Sequence, residues 1–210
     1  MAEFLLELFS EEVPASLQSS ARTNLLADFK KFFDKENIGF KDDGKVFSTP
    51  NRLVLCFKKI DKETLRKSEE IRGPNVKAPA KAIEGFLKSH SIKIKDVFKK
   101  NTDKGEFFFY KKPSRKIKTE NILKENIPNI LNNLAWKKSM RWGEHNLYWG
   151  RPLKSILAIF DSKPLKFNFH HLNSSNFTFI DKNFEEKTKV FKNLNSYFSY
   201  FKNLNIIIDN

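Results

Sequence analysis

The chain has 210 residues, 40% hydrophobic and 14% aromatic, with 39 Lys and Arg against 25 Asp and Glu for a net charge of +14. That apolar content suits one larger or two smaller globular domains and does not suit a disordered chain. No stretch approaches the roughly 18 uncharged apolar residues of a membrane span, and the Met-Ala-Glu start lacks the basic-then-apolar layout of a signal peptide, so a soluble, cytoplasmic protein without membrane contact is expected.

Phe4 to Phe9 is an apolar run suited to a buried strand, and it stops at Ser10-Glu11-Glu12. Pro14 fits the first turn of a helix, where its missing N–H costs nothing. Leu17, Ala21, Leu25, Phe29 and Phe32 recur at steps of four and three, which predicts a helix from about Pro14 to Glu36 with one apolar face. Val46-Phe47-Ser48 and Leu53 to Ile60 predict a strand pair around Thr49-Pro50-Asn51, after a turn at Asp42-Asp43-Gly44. Leu65 to Arg72 reads as a further strand, ended by Gly73-Pro74.

Pro79 opens a second helix, lined by Ala82, Ile83, Phe86 and Leu87. Asp96-Val97-Phe98 and Glu106 to Lys112 bracket Thr102-Asp103-Lys104-Gly105, a hairpin signal in which Gly supplies positive φ. Thr119 is expected to cap a third helix carrying Ile122, Leu123, Ile127, Ile130, Leu131 and Leu134, kinked or restarted at Pro128. From Trp136 to Phe169 the pattern is β-like, most strongly over Leu153 to Phe160. The strand Phe177-Thr178-Phe179-Ile180 precedes a helix with Phe184, Phe191, Leu194, Phe198 and Phe201 on one stripe. Ile206-Ile207-Ile208-Asp209-Asn210 reads as the beginning or middle of an apolar strand, so the natural chain is expected to continue.

These elements predict an α+β fold: mainly antiparallel sheet segments with three or four packed helices, in two subdomains. The first is expected over 1–112 and the second over 119–210, truncated at its C-terminal end, with the soft boundary near Lys112 to Thr119.

A legible catalytic constellation is missing from the sequence. There is no Gly-x-x-x-x-Gly-Lys phosphate loop, no Gly-x-Gly-x-x-Gly and no Gly-x-Ser-x-Gly elbow. His170 and His171 are neighbours that point to opposite faces of a strand, and His90 and His145 lack partners at ligand spacing, so no metal site is expected. Glu7, Glu11 and Glu12 form the best carboxylate cluster, with Glu11 and Glu12 placed to favour a helix dipole. Cys56 cannot form an internal disulfide and sits in the run Leu53-Val54-Leu55-Cys56-Phe57 as a small buried hydrophobe.

The net charge invites a polyanionic partner, although a lysine-rich composition spread along the chain explains part of it. Arginine is more selective: seven of the 39 basic residues are Arg, leaving 32 Lys. Arg52, Arg72, Arg141 and Arg151 sit in compact turn-like contexts, where the planar five-donor fork serves a phosphate, a carboxylate or an internal clamp. Lys137-Lys138-Ser139-Met140-Arg141-Trp142-Gly143 and Tyr148-Trp149-Gly150-Arg151-Pro152 form an aromatic-basic block suited to stacking on nucleic acid or to a protein interface. The contact candidates are therefore Arg52, Arg72, Lys138, Arg141, Trp142, Trp149 and Arg151, with no catalytic or metal residue.

Lys138-Ser139-Met140-Arg141-Trp142-Gly143 followed by Arg151-Pro152 and Leu153 to Phe160 resembles the Lys-x-Met-Arg-Trp … Arg-Pro signature of the bacterial glycyl-tRNA synthetase β subunit. The opening Phe4 to Pro14, with its Glu-Glu-x-Pro turn, is similar to the start of that family. Thr49-Pro50-Asn51-Arg52-Leu53 resembles its Thr-Pro-Arg-Arg-Leu turn, with Asn51 in place of one Arg. Arg72-Gly73-Pro74, then Ala82 to Phe86, and Thr102-Asp103-Lys104-Gly105-Glu106 continue the series in order. Asn173 to Phe177 departs from the family, reading Asn-Ser-Ser-Asn-Phe where a Gly-His-Arg-Phe element is usual.

The resemblance implies an N-terminal part of a β subunit that recognises tRNA(Gly) and completes an α2β2 enzyme. A separate α subunit would hold the class II site for ATP, with Mg, and glycine, and no cofactor is implied for this part. The implied reaction is ATP + glycine + tRNA → glycyl-tRNA + AMP + diphosphate. Rival readings are a stand-alone basic RNA-binding module, a pure assembly domain without RNA contact, and an editing-type hydrolase domain.

Overall fold

The computed structural model describes residues 1–66, 68–180 and 187–206. In chain order the strands are β1 (Ala2–Ser10), β2 (Lys45–Thr49), β3 (Arg52–Ile60), β4 (Glu63–Arg66), β5 (Glu69–Asn75), β6 (Val97–Thr102), β7 (Gly105–Lys112), β8 (Arg115–Lys118), β9 (Leu153–Phe160), β10 (Lys163–Pro164), β11 (Asn168–Phe169), β12 (Leu172–Ser175), β13 (Phe177–Phe179) and β14 (Thr188–Val190). The α-helices are α1 (Ala15–Lys35), α2 (Ala80–His90), α3 (Thr119–Asn132) and α4 (Leu194–Asn203), so the fold is α+β as the sequence predicts.

The chain forms two compact units, Met1–Thr64 with Ile117–Asn210, and Leu65–Lys116. The sequence reading places one junction near Lys112 to Thr119; the chain crosses between units twice, and that region is the second crossing. The reason is long-range pairing: β9, far along the chain, lies antiparallel against β1, with Leu5 opposite Ile159 and Leu8 opposite Ile156. No local signal encodes such a return.

The larger unit is built on a sheet ordered β11-β12-β9-β1-β3-β2, with β10 on β9. Its pairings are antiparallel except for β12 on β9, which is parallel. Strand β1 is apolar on both faces because both faces are covered. Phe4, Leu6 and Leu8 join the core with Ala21, Leu25, Phe29 and Phe33 of α1 and Ile122, Leu123, Ile127 and Leu131 of α3. Leu5 faces the opposite side with Val54, Cys56, Phe191 and the α4 residues Leu194, Tyr197 and Phe201. A near-continuous apolar run is the expected signature of a strand between two layers.

Helix α1 follows Pro14 and ends in a Schellman motif. Asn37 takes φ 54°, and the Ile38 N–H reaches back to the Phe33 carbonyl at 2.8 Å. The turn before β2 is fixed by Asp42, whose carboxylate accepts from the Lys58 and Lys59 N–H groups at 2.8 and 3.1 Å. Gly44, at φ +64°, is required there twice over, since a Cβ would also lie 2.4 Å from the Phe57 ring.

Several local expectations are corrected. Thr119 is the first residue of α3 and not its cap: its hydroxyl donates to the Asp61 carbonyl at 2.6 Å. Helix α3 continues through Pro128 without restarting there. The predicted Leu65 to Arg72 strand falls on β4 and β5, and Gly73-Pro74 does not end it but lies inside β5, at a register shift between Arg72 and Asn75. An edge strand tolerates this, because its outer N–H groups need no ladder partner. The last helix starts at Leu194, and Phe184 and residues 207–210 of the sequence reading fall outside the described residues.

In the smaller unit, β5, β7 and β6 form an antiparallel sheet in that order. The β6–β7 hairpin turns at Asp103-Lys104, with Gly105 at φ +107°, as its sequence predicts. Helix α2 lies on one face of this sheet: the His90 ring is 5.0 Å from Phe86 and 6.3 Å from Tyr110.

Candidate functional site

At one end of the main sheet three stretches far apart in sequence are tied together through their backbones. The Ser10 N–H bonds the Asn51 carbonyl at 2.9 Å, the Val13 N–H bonds Pro50 at 2.6 Å, and the Glu11 N–H bonds Pro152 at 2.9 Å. The Asn51 side chain returns a bond to the Ser10 carbonyl at 3.2 Å, and Glu11 pairs with Lys154 at 2.9 Å. Thus the Glu-Glu-x-Pro, Thr-Pro-Asn-Arg and Arg-Pro segments form one junction. A cavity of about 10 Å³ lies beside it, lined by Val13, Gln18, Thr49, Arg52, Trp136 and Trp149 among others.

The aromatic-basic block is a loop framed by a single bridge, Met140 opposite Trp149, with paired backbone bonds of 2.8 and 3.0 Å. Trp149 anchors it. This ring is 2% exposed, 5.1 Å from Trp136 and 6.0 Å from Phe169, so it is a core residue and offers no free face for stacking. Gly150 allows the close approach, because a Cβ there would sit 2.5 Å from the Trp136 ring. Trp142 is half-buried, packed against the same core and edge-on to His171 at 6.4 Å. His145 stacks flat on His171 at 3.6 Å. Partial burial, then the neighbouring imidazoles of His145 and His170, hold His171 below the usual imidazole range.

Around this frame the loop presents its cations outward. Lys137, Lys138 and Arg141 are exposed, and Arg141 makes a long bond of 3.4 Å to Asn146. Arg151 is half-buried and donates to the Gly150 carbonyl at 3.0 Å. Tyr148 and Met140 are 64% and 41% exposed, which gives the surface large apolar groups beside its cations. The sequence names Trp142 and Trp149 as contact candidates beside the arginines; in the fold both tryptophans pack against the core and hold the loop, and Tyr148 is the exposed ring beside the cations.

Arg52 belongs to a different setting. Its guanidinium is buried between the rings of Phe9 and Phe201, 4.6 and 4.7 Å from their centroids, and donates to the Phe179 carbonyl. Its Nε lies 3.3 Å from Glu7 Oε2, close enough for charge attraction though not aligned for a hydrogen bond. Tyr197 donates its hydroxyl to the same Glu7 oxygen. Burial pushes the Glu7 carboxyl up, opposed first by Arg52, and burial with the Glu7 charge pushes the Tyr197 phenol up. Arg52 is therefore an internal clamp joining β1, β3, β13 and α4, which is one of the readings that its turn-like context offers. The predicted Glu7, Glu11 and Glu12 cluster is likewise divided, with Glu7 buried in the clamp and Glu11 paired at the surface. Tyr197 was missed because nothing in its own stretch signals a partner 190 positions away.

Arg72 lies in the smaller unit, exposed, with its guanidinium 3.7 Å from the Phe107 ring centroid. No group of three His, Cys, Asp or Glu among the described residues is arranged to hold a metal ion. No helix among them is long and apolar enough to cross a membrane.

The fold is an α+β scaffold that carries a cationic, aromatic surface loop. The chain matches the family described as the glycyl-tRNA synthetase beta subunit over residues 4–210 and belongs to it. It is 42% identical to the glycine–tRNA ligase beta subunit of Rickettsia bellii over 179 residues, 85% of this chain and 27% of that relative. It is 39% and 40% identical to the proteins of the same name from Rickettsia prowazekii and Rickettsia conorii over the same shares. The chain thus spans about a quarter of the length of these curated relatives.

Proposed function

We propose that this chain is the N-terminal region of the β subunit of a glycine–tRNA ligase and that it contributes to tRNA recognition and subunit assembly in an α2β2 enzyme. That enzyme joins glycine to tRNA(Gly) at the expense of ATP, with the ATP, Mg and glycine site on the α subunit. The observation that carries the reading is the loop of residues 137–151. It sets Lys137, Lys138, Arg141 and Tyr148 at the surface on a frame fixed by Trp149 and Gly150. Phosphates favour such cations through counterion release, and an exposed ring beside them offers a π-face to a base. A positioned acceptor end gains rate without the positioning subunit touching the reacting atoms. The exposed Met140 and Tyr148 favour a second reading, in which the same loop docks on the α subunit and never meets RNA.

Arg141→Lys and Arg151→Lys in the assembled enzyme test the proposal, since each keeps the charge and removes the planar fork. Arg141→Lys should weaken charging at a cost of about 1–3 kcal/mol, and the slope of log K against log salt should fall by about one unit on its removal to Ala. Arg151, bonded to its own backbone, should affect melting more than slope. Wild-type charging and wild-type salt slope in every variant would refute the tRNA-contact reading.

A further inference from the structure

Net charge is not evenly shared between the two units. Residues 65–116 hold 15 Lys and Arg against six Asp and Glu, a net +9 of the chain's +14 in a quarter of its length. Strand alternation sorts the side chains of this unit onto two faces. Ile71, Tyr110 and Val97 are opposite one another on the face that α2 covers, where a Cβ on Gly73 would meet the Phe86 ring at 2.8 Å. Arg72, Phe109 and Phe98 are opposite one another on the other face, together with Glu70, Lys111, Phe107 and Lys100. Helix α2 lies on the first of these faces.

This second face pairs cations with rings. The Arg72 guanidinium is 3.7 Å from the Phe107 centroid and the Lys100 ammonium is 5.5 Å from that of Phe109. Phe98 stacks on Phe109 at 6.1 Å and is 39% exposed. Glu70 pairs with Lys100 at 2.8 Å and also feels the charge of Lys111 opposite it, so one carboxylate is set against the three cations Lys100, Lys111 and Arg72, and the face keeps a net positive charge. A protein partner laid on this surface would have to desolvate those cations against matching carboxylates. A single nucleic-acid strand meets both needs, because its bases present π-faces to Phe98 and Phe107 and its phosphates present charge to Arg72 and Lys111.

We propose that the face of the β5-β7-β6 sheet that carries Arg72, Phe98 and Phe107 binds unpaired RNA, stacking bases on Phe98 and Phe107 between phosphate contacts from Arg72 and Lys111. The proposal rests on the reading that this chain contacts tRNA, and it assigns the unpaired nucleotides to this unit. The test uses the full chain and a fluorescent 12-nucleotide single-stranded RNA, with a duplex of the same length as comparison. Phe107→Leu and Phe98→Leu keep the apolar volume and remove a ring, and each should weaken single-strand binding by about tenfold. Arg72→Ala should weaken it and lower the salt slope by about 0.7. Lys81→Ala, which removes the same charge from α2 on the covered side, should leave single-strand affinity within about twofold. Retained melting behaviour in the Leu variants excludes loss of fold as the cause.

Equal affinity of the Leu variants and wild type for the single strand would overturn the proposal. So would a duplex that binds as tightly and loses as much in those variants, since stacking cannot then be the source. If the Leu variants bind normally while Arg141→Lys impairs tRNA charging, this inference fails and the tRNA-contact reading survives; if neither set has any effect, both fail.

Discussion

Replacing Arg52 by Met would open the buried clamp of the larger unit. Glu7 is fully buried and Arg52 is 7% exposed, so the substitution leaves a carboxylate facing Tyr197 with no cation. Removing one partner of a buried pair costs about 3–5 kcal/mol, and losing the guanidinium between two rings adds about 1 kcal/mol, partly recovered by the Met sulfur. For a chain of this size that translates to a fall in melting temperature on the order of 10 °C. The Glu7 carboxyl is already pushed up by burial, and loss of Arg52 pushes it further. Protonation therefore favours the folded variant. Its deficit should be largest above the folded-state pKa and shrink as the pH falls through it toward the unfolded value of about 4.3, below which Glu7 becomes neutral in both states. Adding Glu7→Gln to Arg52→Met should recover part of the loss, with a coupling of about 1–3 kcal/mol. The assay is thermal melting by circular dichroism from pH 4 to 8. A single variant that melts within about 2 °C of wild type across that range would refute the clamp.

Three other consequences are open to direct measurement. Gly150→Ala would force a methyl to within 2.5 Å of the Trp136 ring; it should destabilise by about 1–3 kcal/mol and change the tryptophan emission, and unaltered emission and melting would contradict the packing. Burial pushes the Cys56 thiol up to about 11, while the unfolded chain ionises near roughly 8.5. The unfolded state then loses its proton first, so this group's stabilisation should decline as pH rises from about 8.5 to 11, and Cys56→Ala should abolish that component in urea titrations. Native Cys56 should also react slowly with a maleimide at pH 7.5, whereas rapid labelling would show the site open.

Elements set by local patterning were readable from sequence. The 3.6-residue stripe of α1, the Thr49 to Arg52 hairpin and the β6–β7 turn with Gly105 all form where their residues predict. What escaped was set by partners distant in the chain. Glu7 reads in sequence as one of a carboxylate cluster with Glu11 and Glu12, and only the packing of β3 and α4 around β1 gives it Arg52 and Tyr197. Trp149 shared its stretch with exposed cations, yet the return of β9 to β1 draws it against Trp136 and inward. The discontinuous larger unit has the same origin, because strand pairing between residues 4 and 160 leaves no periodic mark in the intervening sequence. Arg141 and Lys138 were legible as candidates and lie at the surface, since loop residues beside an anchored ring keep their charge in water.

The central claim is most directly tested by photocrosslinking from position 148 in the assembled enzyme. A benzophenone amino acid replacing Tyr148, which is 64% exposed, would be irradiated with labelled tRNA(Gly) and α subunit both present. The account predicts a covalent adduct with tRNA that disappears when excess unlabelled tRNA is added. An adduct with the α subunit alone would contradict the tRNA-contact reading and leave the loop as an assembly surface.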